Sequence, residues 1–108
     1  MTTQPTLRTT LHVGLPSAAE LAECVAIVMT HCPDGATVTP AQGVWQGSTE
    51  PAAVITIIHP DATSWSVRTD ALCRHLCSSL RQSCILVTCE QVTSHTYASR
   101  VHALAEAY

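Results

Sequence analysis

Trp45, Gln46 and Glu50 are the residues best equipped for chemistry in this chain, and they stand close together. Trp45 offers a flat apolar face and one N–H donor. Gln46 offers an amide with both donor and acceptor, and Glu50 a negative charge. An aromatic platform beside an amide and a carboxylate can hold a base or a nicotinamide-like ring by stacking and edge hydrogen bonds. The competing reading is structural: Trp45 fills the core or a contact between chains, and Glu50 faces water beside a turn.

The arginines are the second set. Arg68, Arg74 and Arg81 fall on one helical stretch, Arg8 on the first strand and Arg100 near the C-terminus. Guanidinium forks suit phosphates, so Arg74 with Arg8 or Arg100 could form a shallow anion site. A solvated helix face explains them equally. A candidate ligand site therefore comprises Trp45, Gln46, Glu50, Arg8, Arg74 and Arg100.

Cysteine and histidine form the third set. Cys73 and Cys77 stand four apart and share a helix face, with His75 pointing elsewhere; His31, Cys32, His59, Cys84, Cys89 and His95 are scattered. Zinc sites show paired ligands at tight spacings repeated downstream, and none occurs here. Packed thiols are the reading for Cys73 and Cys77. No metal and no cofactor is expected. Paired carboxylates, a phosphate loop and a nucleophile elbow are also missing, so no catalytic residue is assigned.

These residues need elements to position them. Leu7, Thr9, Leu11, Val13 and Leu15 alternate with Arg8, Thr10, His12 and Gly14, which predicts a half-buried strand. Ser17 and Glu20 read as a capping box opening a helix. Its buried stripe is Leu21, Cys24, Val25, Val28 and Cys32. Pro33-Asp34-Gly35 ends it. Residues 36–46 read as an edge or bulged strand because of Pro40 and Gly43. A turn is expected over Gly47–Pro51, then a central strand, Ala52–Ile58, covered on both faces. A second helix starts near Ser64 or Ser66 and ends near Gln82, burying Ala71, Leu72, Leu76 and Leu80. A last strand spans Cys84–Val92. Val101, Leu104, Ala105 and Tyr108 give the tail one apolar helical face, which should dock on the domain or on a neighbouring chain.

The order matches a ferredoxin-like βαββαβ sandwich, an α+β fold, with a short C-terminal helix. Residues 1–6 are a flexible start, 7–96 the domain and 97–108 the tail helix at an oligomer interface. Only 12% of the 108 residues are charged, fewer than a soluble monomer usually carries, which predicts a homo-oligomer pairing sheet to sheet. A net charge of -3 excludes a polyanion-binding surface, so no nucleic acid polymer is expected as partner. Lys, Phe and Asn are absent; their codons are AT-rich, which points to a GC-rich genome such as an actinobacterium or its phage. With no signal-peptide pattern and no membrane span, a cytoplasmic site is expected, with free thiols.

Pro33, Asp34, Gly35 and Thr37, followed by Gly43, Trp45 and Glu50, resemble a motif of small uncharacterised bacterial and phage proteins of ferredoxin-like shape. The resemblance implies the fold, not a chemistry. On these residues the expected function is non-enzymatic binding of a small molecule, in one version a phage sponge that sequesters a nucleotide immune signal. The alternatives are a small dimeric oxygenase- or isomerase-type enzyme recruiting His12, His59 or His95 with Trp45, and a protein-interaction inhibitor.

Overall fold

The computed structural model describes residues 5–93 and 95–96. The elements are β1 (Thr6–Gly14), a 3₁₀ turn (Ala18–Glu20), α1 (Leu21–His31), β2 (Thr37–Trp45), β3 (Ser48–Pro60), α2 (Thr63–Leu80) and β4 (Leu86–Val92). The strands form one antiparallel sheet in the order β2-β3-β1-β4. This is the ferredoxin-like fold expected from the order of elements. The tail helix expected over 97–108 lies outside the described residues, as does Arg100.

Both helices lie on one side of the sheet. The core joins Leu11, Val13, Ala53, Ile55 and Ile57 of the sheet to Cys24, Ile27 and Val28 of α1 and Leu72, Leu76 and Leu80 of α2. Fully burying one such side chain contributes about 1.5–3 kcal/mol. Ser17 caps the entry to α1 by accepting from the Ala19 N–H and donating to the Glu20 carboxylate. Ile27 is buried with Cys24 and Val28, three residues along the same stripe, whereas Val25 lies at its margin and is only half-buried.

Further expectations differ from the structure in detail. The hairpin turn is Gln46-Gly47, not Gly47–Pro51. Both residues have positive φ, 49° and 79°, as a two-residue loop between twisted strands requires. β2 pairs one-to-one with β3 throughout and has no bulge, although it is an edge strand that tolerates Pro40. On β3 only Ala53, Ile55, Ile57 and His59 are buried; Ala52, Val54, Thr56 and Ile58 face the open side and are half-buried. Ala71 is exposed on α2, because it lies off the buried Leu72-Leu76-Leu80 stripe.

His31 on α1 and His75 on α2 link the helices, Nε2 to Nδ1 at 3.0 Å, with the rings edge to face. Burial, and then the neighbouring His75, hold the His31 pKa below its ordinary value. The unfolded chain therefore takes up this proton more readily than the folded one. The pair's contribution is whole above about pH 6.5 and is lost as pH falls through the lowered folded value. Melting temperature should drop between about pH 7.5 and about pH 5.5, and His31→Gln should flatten that drop. Equal slopes in both proteins would contradict it.

Candidate functional site

Strand pairing decides which residues meet on the open side of the sheet. Gly43 lies opposite Glu50, Trp45 opposite Ser48, and His12 opposite both Val54 and Leu86. Side chains of opposed residues share a face. His12, Gly14, Trp45, Glu50 and Leu86 thus gather at one end of the open face. Gln82, Ser83 and Cys84 of the α2–β4 loop close the side of a cleft of about 350 Å³.

Two glycines make room for the carboxylate. A Cβ on Gly14 would stand 2.9 Å from Glu50 Oε1 and 2.6 Å from Gln82 Oε1; one on Gly43 would stand 3.3 Å from Glu50 Cγ. Trp45 is 69% exposed, so its ring fills no core position. The Glu50 carboxylate makes no ion pair or hydrogen bond among the described residues. No described arginine lines this cleft.

The sequence-derived set divides accordingly. Trp45 and Glu50 come together. Gln46 sits in the turn itself and does not line the cleft. Arg8 is committed to Glu90, with Nη2 2.7 Å from Oε1, and Arg74 to Asp70, with Nε 2.9 Å from Oδ2. Both pairs are exposed and contribute at most about 1 kcal/mol each. Arg8 stands on the open face of the sheet and Arg74 on α2 at the helix side, so the structure does not bring the two together. Gly14, Gln82, Ser83 and Cys84 were not singled out from sequence. The alternation of the first strand already placed Gly14 on the same face as His12, whereas the loop residues carry no sequence signal.

A second cavity, of about 430 Å³, lies on the other side of the sheet, between α2 and β4. Trp65 stacks on His59 with centroids 4.9 Å apart, and the Arg68 guanidinium lies 4.2 Å from the Trp65 ring centre. His59 is 6% exposed. Its Nδ1 donates to the Pro60 carbonyl at 2.8 Å, and its Nε2 lies 2.6 Å from the Thr9 hydroxyl, which also stands 3.5 Å from Cys89 Sγ. Both ring nitrogens are occupied, so this imidazole holds structure and is not free to act on a substrate. Cys73, Cys77 and Cys89 line the same seam, and burial raises the Cys73 thiol pKa. This fits the packed-thiol reading of Cys73 and Cys77. His95 stands apart, at the far end of the sheet with Thr6, Ile58 and Pro60. Only His12, of the three histidines considered for catalysis, shares a cleft with Trp45. No cluster of three metal-ligating side chains occurs among the described residues, and none of their helices is long and apolar enough to cross a membrane.

No protein-family model and no curated protein matches the sequence. Solved structures do match in shape. A phage SAM lyase in complex with S-methyl-5'-thioadenosine superimposes with a TM-score of 0.62 at 19% identity, over 84% of each chain. A dimeric ferredoxin-like protein from an uncultured marine organism gives 0.55 at 10% identity, over 86% of this chain and all of that one. CutA from Synechococcus elongatus, complexed with Bis-Tris, gives 0.53 at 15% identity, over 85% and 84%. At these identities the likeness establishes the ferredoxin-like fold of this chain.

Proposed function

We propose that the protein is a small-molecule binder whose ligand is an adenosine carrying a sulfur substituent, held in the cleft of Trp45 and Glu50. The observation that carries this reading is the pairing of an exposed indole with a carboxylate that has no side-chain partner, in a cleft that no described arginine lines. The indole face takes the base by stacking. The carboxylate attracts a sulfonium or a hydrogen-bonding ribose and repels a phosphate. The thioadenosine complex of the phage lyase supports the ligand class by analogy of fold. A sponge for a phosphorylated immune signal remains the neighbouring form of the idea. It would require cations that Arg8 and Arg74 do not bring to this cleft. Low surface charge and the dimeric neighbour support a homo-oligomer, whose subunit count light scattering would give.

Calorimetric titration tests the reading. S-adenosylmethionine and S-methyl-5'-thioadenosine should bind; AMP, cyclic nucleotides and ADP-ribose should bind weakly or not at all. The reverse order would restore the phosphate sponge, and no heat with any of them would remove both. A second reading, cleavage of the sulfonium nucleoside, is favoured by one observation: His12 and Glu50 place two proton-transfer groups in the cleft. Mass spectrometry of the ligand after incubation separates binding from turnover.

The glycine at the cleft floor gives a further expectation. Gly14→Ala should weaken binding without unfolding the domain, because the atoms in the way are the ends of the flexible Glu50 and Gln82 side chains. A melting temperature that falls while affinity holds would contradict this.

A further inference from the structure

We infer that the cavity between α2 and β4 is a second ligand site, which takes an apolar molecule carrying an amine. It lies on the helix side of the sheet, and no residue lines both it and the Trp45–Glu50 cleft. Its volume of about 430 Å³ falls within the range of about 300–1,000 Å³ usual for small-ligand pockets. The sequence leaves this space open. Leu72, Leu76 and Leu80 of α2 fill the core, whereas the residues that α2 presents to the cavity include Thr69, Cys73 and Cys77, whose side chains are short. On β4, Val87 pairs with the fully buried Leu11 and shares its helix-facing side, yet Val87 is 43% exposed.

The lining sets the chemistry of the occupant. Leu7, Ile85 and Val87 give an apolar wall, and the free thiols of Cys73, Cys77 and Cys89 add to it as small hydrophobes. The polar side chains buried in the lining, Thr9 and His59, are bonded to each other and need no partner from a ligand. An apolar body therefore fits the interior. The charged residues in the lining are two exposed carboxylates, Asp61 and Asp70, and no described arginine lines it. Arg68 lies against the Trp65 ring, outside the lining. Arg74 already pairs with Asp70, whereas Asp61 has no ion-pair partner among the described residues. Asp61 thus favours a cationic end over a neutral or anionic one. Apolar burial supplies the affinity and the carboxylate the preference, since an exposed ion pair shifts binding by at most about fivefold.

Native thiols of the full chain report on the site. Cys73, Cys77 and Cys89 line the cavity, while the exposed Cys84 lines the other cleft and serves as the internal control. Alkylation by iodoacetamide is followed thiol by thiol, by fragment mass mapping, with three probes of one shape: 1-naphthylmethylamine, 1-naphthylmethanol and 1-naphthaleneacetate. The amine should slow alkylation of Cys73, Cys77 and Cys89 and leave Cys84 unchanged. The alcohol should need about fivefold more probe for the same protection, and the anion more again. Asp61→Asn, a change at an exposed position, should remove the difference between amine and alcohol. Thr69→Leu with Cys77→Leu fills the cavity and should abolish protection of Cys73 and Cys89 while the melting temperature holds. Equal protection by all three probes, or a preference for the anion, would overturn the amine assignment. Absence of protection, or protection of Cys84 alone, would overturn the site. None of these outcomes depends on whether the Trp45–Glu50 cleft binds a nucleoside.

Discussion

Glu50→Gln should weaken binding of S-adenosylmethionine by about 10- to 100-fold while leaving S-methyl-5'-thioadenosine nearly unaffected. The asymmetry follows from charge. A hydrogen bond or close contact between a carboxylate and a cationic group contributes about 1.5–3 kcal/mol, and each 1.4 kcal/mol is about a factor of ten. The thioether has no positive charge for Glu50 to face. Trp45→Ala should weaken both ligands alike, because base stacking on an aromatic ring contributes about 1–3 kcal/mol whatever the sulfur carries. The Trp45 ring is largely solvent-exposed, so this change should leave the melting temperature almost unmoved. Calorimetry on the two variants with the two ligands gives four numbers. Equal losses for both ligands in Glu50→Gln would show that the carboxylate serves the ribose or no ligand at all.

Leu76→Ala should destabilise the fold by about 2–5 kcal/mol, read from the midpoint of urea unfolding. Leu76 is fully buried at the middle of the α2 stripe, against the sheet. Removing it takes away apolar contact and leaves a cavity that the rigid sheet cannot collapse to fill. A domain of this size has about 5–15 kcal/mol to lose, so the change removes a large share of its stability. Ala71→Ser, five positions earlier, is the control. Ala71 is exposed, so its substitution should change stability by less than about 0.5 kcal/mol. Comparable losses at the two positions would mean that the helix packs on a different stripe.

How far the sequence could be read is clear from particular residues. The alternation Leu7 to Leu15 stated both the first strand and which of its sides is buried, because a period of two admits no other assignment. The Leu72-Leu76-Leu80 spacing did the same for α2. The turn was misread by a few positions: Ser-Thr-Glu-Pro looked like loop, while register with β2 made it strand. Pairing overrides local turn preference once two strands are in place.

The candidate site was legible in part for the same reason. Trp45 and Glu50 are close in sequence on the two strands of a hairpin, so local geometry brings them together. The arginines are not local to it, and their placement depended on elements the sequence does not position. Arg8 found Glu90 across β1 and β4, and Arg74 found Asp70 one turn away. By itself, then, the sequence determined the elements, their buried sides and the aromatic–acidic pair, all of which follow from periodicity and short-range spacing. Only the tertiary structure decided that His12, Gly14 and the Gln82–Cys84 loop meet that pair, and that Arg8 and Arg74 do not. Those contacts span distant parts of the chain, and strand register alone fixes which distant residues share a face.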